Sequence, residues 1–473
     1  MKRIILPVVV LFGFISIWAA GGDRVKKVKY PEGKCYMYRV TLADKCGTPY
    51  SPEHPEEFLS PRAIERRARQ GLCVDSTDLP VSPRYIAGIE AVGAKVVRVG
   101  KWNNTALVRG SDAQLLESLT ALPFVRAVRK VWTSPDSIAQ PMKREQPGKI
   151  INKWDTINGS RYGYAIGQIE MLNGTGLHEK GFTGEGMMIA VLDGGFMNAD
   201  VIPAFMTTRI AAVRDFVVPP ADDVFAEMNH GTKVLSVMAA DLPGVYVGAA
   251  PDATYLLLRC EDNGTESLAE EDYWAAAVEY ADSMGADVIN SSLGFHRFDD
   301  EADNYVYSDQ DGRTAMISRT ASMLADKGIV LVCSAGNDGM ETWKKINFPA
   351  DAHDILAVGA AGPDGINASF SAVGPTADGR VKPDVMALGN PTAVISARGS
   401  LSRDVGTSFA TPLITAMVAC LWQALPGKTA KEIIDIVRRS GDNSLTPDNI
   451  RGYGVPDFRS AYTLGMKGKE TEQ

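Results

Sequence analysis

The sequence is sparing with the residues that staple or metallate a fold. Six cysteines and five histidines are spread over 473 residues, far below the density of a disulfide scaffold or a zinc array. Cys260, Cys333 and Cys420 lie in apolar runs and read as small buried hydrophobes. Cys35 and Cys46 stand close enough in sequence to pair across a short loop, with Cys73 left over; spacing alone does not decide that pairing. Positive charge is also short, 49 Lys and Arg against 57 Asp and Glu for a net charge of -8. No basic stripe interleaved with aromatics appears, so nucleic acid is not an expected partner. Internal repeats and low-complexity segments are missing too. Beyond the N-terminus, the sequence offers no run that reads as a membrane span.

What is present is a globular composition, 45% hydrophobic, in a chain longer than one core usually fills. It opens MKRIILPVVVLFGFISIWAAGG, with two cations, a short apolar stretch and then small residues. That order reads as a secretory signal peptide over residues 1–21, cut after Gly21 with Ala19 and Gly21 as the small pair. The competing reading is an uncleaved anchor. The mature chain is expected to be exported, periplasmic or extracellular, and free of the membrane once the signal is removed.

Residues 22–150 are rich in Lys and Arg, notably in SPRAIERRARQG, where Ser60 and Pro61 read as helix cap and first helical residue. With that helix set aside as an insertion, strands at CYMYRVTL, AKVVRVGK, NTALVRG and FVRAVRKV and helices at SPRYIAGIEAVG and SDAQLLESLTAL give the order βαββαβ. This predicts a small α+β, ferredoxin-like unit. Residues 134–160 mix Pro, Gly and charge without periodicity and read as an exposed linker. Over 160–465, apolar strands such as GMMIAVLD, ATYLLLR, ADVINSSLG, GIVLVCSAGN and ILAVGAA alternate with helical runs. That pattern predicts an α/β domain, a parallel sheet with helices on both faces, whose functional residues gather at the carboxyl ends of strands and at the helix starts facing them.

Candidate residues occur at such switches. Asp193 closes MMIAVL ahead of Gly194 and Gly195; His230 stands in NHGTKVLSVMAA where a helix begins; Asn337 ends VLVCSAGNDG; Ser408 opens a very apolar helix in GTSFATP, with Thr407 beside it and Pro412 one turn inside. Taken singly, each has a local explanation as a turn former or helix cap. Together, an acid, a base, a nucleophile and an amide donor in the order Asp193, His230, Asn337, Ser408 are not what capping chemistry predicts.

On VLDGG, HGT, SSLG, SAGN and GTSFATP, the region from about 160 to 460 resembles the subtilisin-like serine peptidases. The resemblance implies a serine endopeptidase that works through an acyl-enzyme. In it Ser408 is the nucleophile, His230 the general base and Asp193 its orienter, and Asn337 with the Ser408 N–H binds the oxyanion. It also implies that Ser292, Leu293 and Gly294 pair with a peptide substrate as an added strand. Phe295 is expected to narrow the rim of the first specificity pocket, with Asn347 near its floor and Asp338 near its rim. Lys233 stands where a second His is common. The N-terminal unit resembles the family's propeptide, an intramolecular inhibitor whose basic character suits docking on a more acidic domain; the chain is thus expected to be a zymogen and a monomer. IRGYGVPDFRSAY resembles the family's closing segment. No cofactor is required. Calcium is possible but lacks a clear motif: AADLPGVYVGAAPDA is short for the family's strong site, and Asp309 and Asp311 offer only a fragment of calcium-loop spacing. Two other readings share these residues: a noncatalytic peptide-binding or assembly protein that kept the fold, and a dedicated processing peptidase.

Overall fold

The computed structural model describes residues 27–30, 33–112, 114–139, 144, 146–147 and 159–467. The expected signal peptide and part of the 134–160 linker lie outside the described residues. In the N-terminal unit, strand β1 (Tyr36–Leu42) leads to helices α1 (Pro61–Arg69) and α2 (Pro83–Ala91), strands β2 (Lys95–Gly100) and β3 (Thr105–Gly110), helix α3 (Leu115–Thr120) and strand β4 (Val125–Thr133). The strands form an antiparallel sheet in the order β2-β3-β1-β4, the split arrangement expected of βαββαβ. Alternation along β1 separates its faces. Tyr38, Val40 and Leu42 pack with Ile89 of α2 and Leu115 and Leu119 of α3 into a core of their own, whereas Met37 joins the core of the larger unit.

That larger unit is built on strands β5 (Met188–Asp193), β6 (Arg209–Asp215), β7 (Thr254–Arg259), β8 (Val288–Ser291), β9 (Val330–Ser334), β10 (Leu356–Ala361) and β11 (Val385–Leu388). They form one wholly parallel seven-stranded sheet in the order β11-β10-β9-β8-β5-β7-β6. Helices α4 (His230–Ala239) and α6 (Thr407–Ala424) pack in the cluster on one face, and α5 (Ala269–Met284) in that on the other. Burial of both faces explains the unbroken apolar strands: every residue of β5 and of β8 to β11 is buried. By length and composition α6 could cross a membrane, contrary to the expectation from sequence, but 89% of it is buried inside the fold. It is the central helix of the core, where each fully buried aliphatic side chain contributes about 1.5–3 kcal/mol.

The two units meet through buried charge. Ser60 caps α1 by accepting from Ala63 N at 3.2 Å, and the helix it starts lies along α5, with Ser60 N donating to Ser283 O at 2.9 Å. Arg66 and Arg67, both fully buried, reach Asp282 at 2.6 and 2.8 Å, and Lys101 reaches its other oxygen at 3.0 Å. Arg39 of β1 binds Asp272 at 2.6 Å and Glu271 at 3.1 Å. The basic N-terminal unit therefore docks on an acidic helix, as its composition predicted. All six cysteines are free thiols: Cys35 is buried, its sulfur accepting from Arg109 at 3.0 Å, while Cys46 is exposed.

Candidate active site

Asp193 ends β5, next to the central strand β8, and Gly194 and Gly195 turn the chain away from it. His230 begins α4 directly opposite. Gly231 makes their approach possible, because a Cβ there would lie 2.4 Å from Gly195 O and 2.9 Å from Asp193 Cβ. His230 Nδ1 sits 2.9 and 3.0 Å from the carboxylate oxygens of Asp193, which is 1% exposed. A carboxylate only accepts, so Nδ1 carries the proton and Nε2 is left as the basic nitrogen. Burial lowers the imidazole's affinity for a proton, but the Asp193 carboxylate, helped by Glu261, more than offsets this and pushes its pKa up to about 9. Glu261 itself, half-buried and facing Asp193, is pushed up to about 7 by desolvation and by that neighbouring carboxylate.

Ser408 lies in the first turn of α6, where backbone N–H groups have no intrahelical partner and the helix dipole favours negative charge. Gly406, φ 151°, lets the chain enter that turn. Pro412 has no N–H to offer the Ser408 carbonyl four residues back, and Ser292 Oγ donates to that carbonyl instead, at 3.0 Å. In return Ser408 Oγ donates to the Ser292 carbonyl at 3.1 Å. The imidazole–hydroxyl bond expected from sequence is therefore not made in this resting arrangement. Phe409, next in the helix, packs on the His230 ring with centroids 5.6 Å apart, so base and hydroxyl belong to adjoining positions in one cleft.

Asn337 follows β9 across this cleft. Its Oδ1 accepts from Thr407 N at 3.0 Å and Thr407 Oγ1 at 3.1 Å. Because a backbone N–H only donates, the amide orientation is fixed, and Nδ2 is presented at an exposed position with no partner among the described residues. Ser292, Leu293 and Gly294 continue from β8. Gly294 makes no backbone hydrogen bond among the described residues, while Phe295 is paired in both directions with Phe348. The Ser292 carbonyl accepts from Ser408 Oγ and the Leu293 carbonyl from Ser334 Oγ, so the unpaired backbone of this edge is at Gly294.

Asn347 lies beneath this edge. A Cβ on Gly294 would come within 3.1 Å of Asn347 Cβ, and one on Gly336 within 2.8 Å of its Nδ2. Asn347 Nδ2 donates to Asp338 at 2.8 Å, so the two side chains are joined. Phe295 does not narrow a rim: it is 2% exposed and stacked with Phe298 in the core, because it is the strand's inward-facing residue. Lys233 points away to Asp404 at 2.8 Å. Asp311 is filled by Arg313 N and Thr314 N, and Asp309 accepts from Val306 N. They do not converge on a calcium cage, and among the described residues no group of three or more His, Cys, Asp or Glu is arranged to hold a metal ion.

The sequence profile of the Subtilase family matches residues 184–454. The chain belongs to the subtilase family. A Peptidase S8 propeptide domain of the Bacteroidota type matches residues 37–147, so the chain carries a propeptide domain ahead of the protease fold. This subtilase is 31% identical to the thermophilic serine proteinase of Bacillus sp. (strain AK1) over 96% of both chains. It is 30% identical to the thermostable alkaline protease of Halalkalibacterium halodurans over 56% of its own length and 64% of that protein, and 27% identical to subtilisin NAT of Bacillus subtilis subsp. natto over 58% and 64%. Its fold matches the structure of MycP3 protease from the type VII (ESX-3) secretion system with a TM-score of 0.52 and 23% identity, over 69% of this chain and 94% of that one.

Sequence reading missed two partners of this site. Thr407, taken only as a helix cap, is what orients Asn337. Glu261 has no motif to signal it; it comes close by following β7, the neighbour of β5 in the sheet.

Proposed function

We propose that this subtilase is an exported serine endopeptidase, made as a zymogen, that cleaves peptide bonds through an acyl-enzyme and needs no cofactor. Residues 1–21 serve as the signal, 22–150 as prodomain and linker, and 160–465 as the catalytic domain. Ser408 is the nucleophile: rotation about its χ1 releases Oγ from the Ser292 carbonyl toward His230 Nε2, which takes the proton as Oγ attacks the scissile carbonyl. Asp193 holds the tautomer and stabilises the imidazolium. Asn337 Nδ2 and the Ser408 N–H stabilise the oxyanion, the former already fixed before substrate arrives. His230 then returns its proton to the leaving amine, and water resolves the acyl-enzyme by the same path. The peptide lies as an added strand on Ser292, Leu293 and Gly294.

The observation that carries this reading is the locked Asn337 amide. A peptide-binding descendant has no need of a side-chain donor fixed by two bonds, and facing a helix start that bears a serine beside an Asp–His pair. The test is processing. The natural chain is expected to lose its N-terminal unit after signal removal, while Ser408→Ala keeps it; equal sizes on a gel overturn self-processing.

A further inference from the structure

One linker residue is held tightly beside the cleft. Arg144 Nε donates to Asn198 Oδ1 at 2.8 Å, its Nη2 binds the Asp200 carboxylate, and its Nη1 lies 3.4 Å from Asp223 Oδ2. These partners sit on the two loops that frame Asp193 and His230. Asn198 N donates to Phe225 O at 3.0 Å, Met197 N to Met228 O at 3.1 Å, and Thr232 Oγ1 of α4 to Met197 O at 2.8 Å. Two of these partners are also held by other bonds. Asn198 is fully buried and its Nδ2 donates to Ala397 O at 2.8 Å, which aims Oδ1 outward. Asp223 uses Oδ1 to cap Phe225 N at 2.9 Å, which leaves Oδ2 for the guanidinium.

We infer that Asn198, Asp200 and Asp223 form a guanidinium subsite at the edge of the cleft, filled in the full chain by Arg144 and open to an arginine side chain of a peptide substrate once the linker leaves. This inference rests on the endopeptidase reading. All three guanidinium nitrogens are used, each by a different acceptor, which a single ammonium cannot match. When Arg144 withdraws, the carboxylates of Asp200 and Asp223 are left facing the same vacancy. The arrangement therefore selects a cation, and arginine over lysine.

The test uses internally quenched peptides of residues 134–160 that differ only at the position of Arg144, which carries Arg, citrulline, Lys or Ala. The protein is purified after expression of the full chain and its reactive serine is titrated with a fluorophosphonate. The Arg peptide is expected to give kcat/KM at least about 10-fold above the other three, the size of one charged hydrogen bond. That preference is expected to fall toward unity in Asp200→Asn, Asp223→Asn, and to weaken with salt. Equal kcat/KM for all four peptides, or an Arg preference that survives the double substitution, overturns the subsite. Failure of fluorophosphonate labelling counts against the endopeptidase reading alone.

Discussion

Ser292 and Ser408 hold each other twice: the Ser408 hydroxyl donates to the Ser292 carbonyl at 3.1 Å, and the Ser292 hydroxyl donates to the Ser408 carbonyl at 3.0 Å. The second bond exists because Pro412 cannot supply the helical N–H. Ser292→Ala is therefore expected to leave the buried Ser408 carbonyl unpaired and to lower stability by about 1–3 kcal/mol, read by denaturant unfolding in the Ser408→Ala background. Hydrolysis by Ser292→Ala should slow as well, because the start of α6 loses an anchor to the substrate-side strand. Unchanged stability would show that water or a relaxed helix turn replaces the bond.

Asn337→Ala is expected to lower kcat by about 10²- to 10³-fold with KM little changed, because the donor acts on charge that develops only in the transition state. Thr407→Val, which removes the hydroxyl bond but keeps the backbone one, should cost less, about 5-fold, the worth of about 1 kcal/mol. A loss confined to thermal stability would make Asn337 a turn former and nothing more.

The His230 pKa of about 9 sets the direction of the pH profile. A general base works when neutral, so kcat/KM of the free enzyme should rise with pH through a midpoint near that value. Glu261→Gln removes a carboxylate that raises it, and the midpoint is expected to move down. The stability sign is opposite: a raised His pKa adds stability that is complete below the unfolded value of about 6.5 and is lost as pH climbs through about 9. A midpoint that ignores Glu261→Gln contradicts this electrostatic account.

Gly231→Ala should damage activity more than its size suggests. Its Cβ would meet Gly195 O at 2.4 Å and Asp193 Cβ at 2.9 Å, so α4 must draw back and part His230 from Asp193. The NMR signal of a proton on Nδ1, shifted far downfield by a carboxylate partner, should weaken or vanish along with turnover.

Asp282→Ala probes the contact between the two units. It leaves Arg66 and Arg67, both buried, without their shared carboxylate, a change that costs about 3–5 kcal/mol. The transition of the full Ser408→Ala chain in denaturant should shift accordingly; a shift below about 1 kcal/mol would place the pair in the range of solvated surface bridges.

Much of this was legible in the sequence. Strands buried on both faces announce themselves as apolar runs, and the ferredoxin-like order followed from alternation along Tyr36–Leu42 and its partners. The edge strand Arg209–Asp215 did not, because only one side of it is covered and charge interrupts its pattern. Asp193, His230, Asn337 and Ser408 were visible because each stands where a strand or loop gives way to a turn or helix. Thr407 was visible too, but its role depends on which atom of Asn337 faces it, a matter of three-dimensional approach. Phe295 was misread for the opposite reason: sequence position placed it at the cleft, while the pleat turns it inward. Arg144 had no motif at all, since its partners come from loops more than fifty residues away along the chain.

The central claim is that Ser408 is a nucleophile activated by His230. It is tested most directly by treating the protein with a fluorophosphonate and mapping the adduct by mass spectrometry. A single adduct on Ser408, abolished in Ser408→Ala and strongly slowed in His230→Ala, is the predicted result. No adduct, or one that persists on another residue in Ser408→Ala, would contradict it.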